Sequence, residues 1–333
     1  MSATQFDVVG IGNAIVDIVA TTTSAFLEEH DLAKGRMILI DDATATRVYG
    51  AMGPAIEYSG GSAANTIAGL ASLGGRGAFI GKTRDDQLGE VFRHDLGALG
   101  IHFPTSPLRQ GPATARSLVL VTPDAHRTMA TYLGAATQLA PDDIDVATIR
   151  AAAITYLEGY LFDPPLAKAA FRRALDLAHA AGNRVALTLS DALCVERHHD
   201  DFLALLHSGV DVLFANESEI KRLIGSDATA EIRSALSPDV AITVITRSER
   251  GSQIVTASEE HDIAPVPLGP VLDTTGAGDL YASGFLYGLA KGFDLECCGK
   301  LGSLCAAEVI GHFGARPQSS LRALAVTHGL SSG

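Results

Sequence analysis

Residues 273–279 read DTTGAGD and lead directly into 280–292, LYASGFLYGLAKG, a run of helical composition. Glycine supplies positive φ or room for close backbone approach, and a helix that starts right after such a turn aims its unpaired N–H groups at whatever lies in front. That helix end carries about +0.5 of an elementary charge, so Gly276, Ala277 and Gly278 read as a backbone cradle for an anion. Asp279 puts a carboxylate into the same place. It reads either as an acid that favours the helix dipole, worth about 0.3–1 kcal/mol, or as a group with chemistry to perform there. Ser283, Gly284 and Gly288 predict close contact with a neighbouring element, and so a buried, rigid mount.

Outward from this seam, apolar runs bounded by turn residues alternate with helical segments. FDVVGIG (6–12), GAFIG (77–81), SLVLVT (117–122), AITYLEG (153–159), RVALTLS (184–190), DVLFAN (211–216) and ITVITR (242–247) read as strands. AANTIAGLASLG (63–74), PPLAKAAFRRALDLAHAAG (164–182) and RHHDDFLALLHSG (197–209) read as helices. Near-continuous apolar strands separated by helices predict an α/β fold with a mainly parallel sheet covered on both faces. RMILID (36–41) and 113–133 read as strands with no helix between them, which predicts a small antiparallel sheet assembled from insertions. With 14–22 they would form a discontinuous lid on one catalytic domain spanning 1–333.

The 333 residues are 47% hydrophobic, enough for a large core. With 25 basic against 38 acidic residues the net charge is −13, which argues against nucleic-acid and anionic-membrane surfaces. Cys194, Cys297, Cys298 and Cys305 have no C-x-x-C spacing, so neither a zinc site nor a disulfide framework is expected. With no apolar run of about 20 residues and no basic-then-apolar leader, a cytoplasmic location is expected. His198–His199, inside ERHHDD, reads as a solvated helix start.

Two further stretches carry site signals. GIGN (10–13) ends a strand, but Ile15 stands where a dinucleotide fingerprint needs its third glycine, so a dehydrogenase is disfavoured. Asn13 and Asp17 lie just beyond that strand's carboxyl end, where open α/β sheets bind ligands, and an amide with a carboxylate can hold a diol. SGGSAANTIAGLASLGG (59–75) reads as a glycine turn and a helix capped by Ser62. Packing accounts for most of it, yet Asn65 is a poor helix former inside the first turn, beside a Gly-Gly that admits close approach. A ligand contact explains it better.

GGSAAN (60–65) and DTTGAGD together resemble the two signatures of the ribokinase, or PfkB, family of sugar and nucleoside kinases. NESE (216–219) is similar to that family's N-x-x-E motif, and TRSERG (246–251) to its T-x-G-x-x-G turn. The resemblance implies a ribokinase-like three-layer α/β/α fold with a β-sheet lid, and a phosphotransferase with an alcohol acceptor that uses ATP and Mg²⁺. It implies Asp279 as catalytic base, with the amides of Gly276, Ala277 and Gly278 around the transferred phosphoryl group. Asn216 and Glu219 would organise Mg²⁺, through water, and the ATP phosphates. Thr246, Ser248 and Gly251 match the nucleotide turn, with Ser248 where glycine usually stands, and His312 lies in AAEVIGHFGA (306–315), similar to the segment beside the adenine ring. Asp273 and Thr275 match positions near a monovalent-cation site, with K⁺ the ion. Asp279 itself is expected to be ionised at neutral pH, from an ordinary carboxyl pKa of about 3.9.

The run from VVGIGNAIVDI to FLEEHDLAKGRMILID, together with RTMATYLGAA (127–136), resembles the adenosine-kinase branch. On that likeness Asn13, Asp17, Gly60, Gly61 and Asn65 would bind ribose hydroxyls and Arg127 would reach from the lid to the phosphates. Leu133 and Ala135 would line a base pocket, or simply pack the lid, and Tyr160 would stack on the base. The expected activity is phosphorylation of the 5′-hydroxyl of adenosine or a related nucleoside. The alternatives are a sugar kinase acting on a furanose or keto-sugar acid and, more remotely, a non-catalytic binder. The partner is a small molecule, and the chain is expected to be a monomer or homodimer.

Overall fold

The structure, a computed structural model, describes residues 4–124, 126–162, 164–236 and 238–330. Its strands, in chain order, are β1 (Phe6–Ile11), β2 (Ile15–Thr21), β3 (Met37–Leu39), β4 (Ile56–Gly60), β5 (Gly77–Ile80), β6 (Ala115–Val121), β7 (Arg127–Tyr132), β8 (Ala152–Glu158), β9 (Arg184–Thr188), β10 (Val212–Asn216), β11 (Ile242–Thr246), β12 (Ser252–Val255) and β13 (Glu260–Ile263). Eight of them form one sheet in the order β13-β12-β11-β10-β9-β8-β1-β5. From β5 to β11 every pairing is parallel, and β12 and β13 extend the edge as antiparallel strands.

All six residues of β1 are buried because helices cover both of its faces. Val9 and Ile11 pack with Leu161 and Phe171 in one core. Val8 packs with Ile67 and Phe285 in a second core, on the side of the helices Ser62–Ser72 and Ala277–Ala290. Both of these helices begin at the carboxyl end of the sheet and bring their N-termini together there.

The second sheet has the order β3-β7-β6-β2-β4. It contains parts of 14–22, 36–41 and 113–133, of which residue 125 lies outside the described residues, but it departs from the sequence reading in two ways. It is mixed: β6 runs parallel to β2 and β3 parallel to β7, while β6–β7 and β2–β4 are antiparallel. It also includes β4, IEYSG, whose polar composition and exposed Ile56 hide an edge strand inside what reads as the approach to a glycine turn.

Register defines this sheet's two faces. Val16, Ile18, Leu118, Leu120 and Ala130 are buried in a core with Leu27, Val48 and Phe92. Tyr58, Asp17, Ser117, Thr131 and Leu39 pair in one row across β4, β2, β6, β7 and β3 and share the opposite face. The Ser117 and Thr131 hydroxyls are hydrogen bonded at 2.9 Å within that row.

The chain crosses between the sheets side by side at Gly12–Ala14 and at Gly60–Gly61. Gly61 has φ 95°, and a Cβ there would lie 2.2 Å from the Asn13 carbonyl oxygen, so the crossing tolerates only glycine. The small residues of the 277–290 helix have the expected cause. A Cβ on Gly284 would sit 2.5 Å from the Leu301 carbonyl oxygen of the neighbouring helix Leu295–Val309. Gly284→Ala is therefore expected to lower the unfolding free energy by about 1–3 kcal/mol through overpacking. Denaturant unfolding of the purified variant checks this, and an unchanged midpoint would contradict a close helix contact at this position.

Candidate active site

The helix Ala277–Ala290 opens on Gly276, which is left-handed at φ 79° and offers no side-chain cap. The N–H of Ala277 donates to Thr274 O at 3.2 Å, whereas the N–H groups of Gly276, Gly278 and Asp279 find no acceptor among the described residues. Gly278 has no backbone reason to be glycine, since a Cβ there would meet nothing within 4 Å. Open space in front of unpaired amides is what an incoming anion requires.

Asp279 is held from the other helix. Its Oδ1 accepts from Ser62 Oγ at 2.6 Å and its Oδ2 from Asn65 Nδ2 at 3.0 Å. Ser62 thus does not cap its helix, contrary to the sequence reading. Gly61 is the N-cap residue, and the hydroxyl is spent on a carboxylate 217 positions away. Asn65 justifies its unfavourable place by gripping the same carboxylate, and its own buried Oδ1 has no protein partner.

Two more carboxyls face this point. Asp17 points from β2 into the cleft against Gly60, where a Cβ would lie 2.3 Å from its Oδ2. Burial pushes Asp17 up to about 7 against the opposing charges of Arg316 and Arg127. Glu158, at the end of β8, accepts from Asn13 Nδ2 at 2.7 Å, from Asn13 N–H at 3.3 Å and from Ala63 N–H at 2.8 Å. It fastens the β1–β2 crossing to the first turn of the 62–72 helix, and burial raises it to about 7. Burial also raises Asp279, opposed by the Ser62 and Asn65 hydrogen bonds and by the Arg316 charge. The expectation of an ordinary carboxyl at 279 is corrected: two helix N-termini favour its charge, but the enclosed cleft opposes it.

Arg127 pairs with Asp273 at 2.6 Å and lies over the Phe313 ring, 5.3 Å from its centroid. Asp273 also accepts from Thr275 Oγ1 at 2.7 Å, Thr275 N–H at 3.1 Å and Gly314 N–H at 3.1 Å. Both carboxylate oxygens of Asp273 are occupied, and its charge is matched by Arg127.

The residues that the resemblance assigns to the nucleotide include Asn216 and Thr246, which are in register at the ends of the adjacent strands β10 and β11. Asn216 and Glu219 form a reciprocal capping box: Asn216 Oδ1 accepts from Glu219 N–H at 2.9 Å, and Glu219 accepts from Asn216 N–H at 3.0 Å and Nδ2 at 2.6 Å. Burial pushes Glu219 up to about 7. No group of three or more His, Cys, Asp or Glu gathers as a metal cage among the described residues. A single carboxylate suits Mg²⁺, which takes most of its shell from water and substrate phosphates. Ser248 adopts φ 52°, the left-handed region that explains the family's glycine, and Gly251 adopts φ 80°. His312 meets Glu308 at 3.2 Å.

Leu133 lines a cleft of about 360 Å³ with Leu39, Ile40, Thr131 and Tyr132. Ala135 is fully buried and donates its N–H to Ala113 O at 2.8 Å. The Tyr160 hydroxyl donates to Ser190 O at 3.3 Å. Sequence reasoning missed Glu158, Arg316 and the Ser62 contact. Glu158 lies inside the strand run AITYLEG, where one acid among apolar residues was the available signal.

A cleft between two sheets, with open helix amides beside a carboxylate held by two side chains, defines a ribokinase-like phosphotransferase with an alcohol acceptor. The chain belongs to the pfkB family of carbohydrate kinases, whose model matches residues 54–321. Adenosine kinase from Sinorhizobium meliloti is 49% identical, with a TM-score of 0.89 over 97% of this chain and 99% of that one. A probable sugar kinase protein from Rhizobium etli CFN 42 is 46% identical, with a TM-score of 0.91 over 98% of this chain and all of that one. A 5-dehydro-2-deoxygluconokinase from Shouchella clausii is 29% identical over 92% of this chain and 90% of its own length. The protein is a sugar or nucleoside kinase, and its family implies ATP as donor. No helix among the described residues is long and apolar enough to cross a membrane.

The raised carboxyls set a sign for stability. Asp17, Glu158 and Glu219 titrate near 7 when folded, above the ordinary range of about 4. The native state therefore holds protons that the unfolded chain has released, and stability falls as pH rises through that interval. The ligand-free protein is expected to melt at a higher temperature at about pH 5.5 than at about pH 8. Calorimetry across this range checks it, and a melting temperature that climbs with pH would contradict it.

Proposed function

We propose that the protein transfers the γ-phosphoryl group of ATP to the primary 5′-hydroxyl of adenosine or a closely related nucleoside. The carrying observation is the Asp279 carboxylate, held by Ser62 and Asn65 beside the open amides of Gly276 and Gly278. In this reading Asp279 accepts the hydroxyl proton as the bond to phosphorus forms, and the amides hold the charge of the transferred group. Mg²⁺, when bound, would supply charge neutralisation for the phosphates, and Glu219 would be the residue to hold it.

The acceptor side supports a nucleoside. Asp17 and Asn13 offer a carboxylate and an amide for a diol, and the face that carries Asp17 ends in the apolar Leu39 and Leu133 beside a cleft with room for a flat ring. The 49% identity to the Sinorhizobium meliloti adenosine kinase points the same way. A sugar kinase is the second reading, favoured by the relative that acts on 5-dehydro-2-deoxygluconate by name. A keto-sugar acid also calls for a cation, and Arg127 is engaged with Asp273.

Asp279→Asn is expected to keep ATP binding and lose about 10²–10⁴-fold in kcat, whereas a loss of only a few-fold would remove Asp279 from the role of base. Gly278→Ala separates ligand from fold. It should melt like the wild type, because its Cβ enters open space, yet transfer phosphoryl poorly; full activity would take the phosphate away from this turn. A coupled ADP-release assay over adenosine, other nucleosides, ribose, fructose and a keto-sugar acid decides the acceptor. Turnover with a sugar and none with adenosine would overturn the nucleoside assignment.

A further inference from the structure

Arg316 lies on the segment that follows the 295–309 helix, and its hydrogen bonds go to two nearby places in the sequence. Its Nε and Nη2 donate to Ser59 O at 3.2 and 2.9 Å, Nη2 also reaches Ser59 Oγ at 3.1 Å, and Nη1 donates to Ala64 O at 3.0 Å. Residues 59 and 64 bracket the turn that carries Gly60, Gly61 and Ser62 and runs into Asn65. Ser62 and Asn65 are the two groups that hold Asp279. One residue before the arginine, Ala315 packs on the other half of the site, where a Cβ on Gly276 would lie 2.8 Å from its Cα and Cβ.

The guanidinium is enclosed, and burial pulls its pKa down to about 10 while the charges of Asp17, Asp95 and Asp279 oppose that fall. No carboxylate among the described residues forms an ion pair with it. A cation bound only through carbonyl and hydroxyl oxygens is costly to bury, and its field is left to act on its surroundings. Those surroundings are acidic. Asp279 shares the cleft with Asp17 from β2, with Glu158 and Tyr156 from β8 and with Tyr160 beyond it. Ser62 and Asn65 are neutral, and Arg127 is engaged by Asp273.

We propose that Arg316 is a positioning residue for the candidate base: it braces residues 59 and 64 so that Ser62 and Asn65 meet both oxygens of Asp279, and its charge lowers the cost of ionising that carboxylate. The functional half rests on the reading of Asp279 as base; the electrostatic half does not.

The test uses the full chain labelled with ¹³Cγ aspartate, the Asp279 resonance being assigned by its loss in Asp279→Asn. Arg316→Gln is expected to raise the Asp279 titration midpoint by about one pH unit or more. The acidic limb of kcat against pH should move with it, so that at a fixed acidic pH kcat falls roughly tenfold for each pH unit by which the midpoint rises. Arg316→Lys is expected to keep the midpoint near that of the wild type but to lower the plateau kcat, because an ammonium cannot reproduce the forked set of bonds. A folded Arg316→Gln with an unmoved Asp279 midpoint overturns the proposal. If the glutamine variant does not fold, a wild-type plateau in Arg316→Lys overturns it. A midpoint that moves while the kcat limb stays leaves Arg316 in its place and removes Asp279 as the base.

Discussion

Everything in the catalytic half of this molecule turns on two helix N-termini that meet at one carboxylate. The helices at 62–72 and 277–290 both begin at the carboxyl end of the central sheet, and each presents a positive end to the same small volume. Left empty of negative charge, that volume would set two like poles against each other. Asp279 belongs to one helix and is bonded by side chains of the other, so a single anion stabilises both ends and fixes their separation. Glu158 repeats the device one layer deeper, through the Ala63 N–H. Gly61, Gly69 and Gly284 keep the backbones close enough for such short reaches, since a Cβ at any of them would overlap a neighbouring atom.

The same arrangement makes the site electrostatically taut. Asp17, Glu158 and Asp279 crowd a region that burial makes unfavourable for charge, in a chain already carrying −13. The opposing cations come from distant parts of the sequence. Arg127 arrives from the second sheet and Arg316 from the segment near the carboxyl end, and residues 313–316 touch both, with Phe313 under the Arg127 guanidinium and Gly314 on the carboxylate that Arg127 pairs with. A four-residue stretch therefore links the second sheet to the turn at 273–276.

The sequence made the fold legible where periodicity was strong. The apolar strands of the larger sheet and the glycine turns at 60–61 and 276–278 stand out because their physical demands admit few residues. The edge strand β4 did not, for it carries Glu57, Tyr58 and Ser59 in place of an apolar run. Nor did the partners of Asp279, since the bond from Ser62 spans 217 positions and leaves no local pattern. The local rule at Ser62 even pointed elsewhere, to a helix cap. Asn216 and Glu219 show the reverse case: the spacing that resembles a family motif is also a complete capping box, so local geometry alone accounts for it. Arg316 was illegible because its partners, Ser59 and Ala64, lie more than 250 positions away and leave no local pattern.

The row of Tyr58, Asp17, Ser117, Thr131 and Leu39 lies on a sheet that shares no strand with the larger one, which carries Asn216 and Thr246. Among the described residues none of these five positions forms a hydrogen bond with Asp279, Asn216 or Glu219, whose partners are Ser62, Asn65 and one another. In the proposed function this face meets the acceptor, so recognition and phosphoryl transfer fall to separate surfaces. On that reading, substitutions on one surface would change the alcohol while the transfer site stays intact, and relatives named for a nucleoside and for a keto-sugar acid fit such a division.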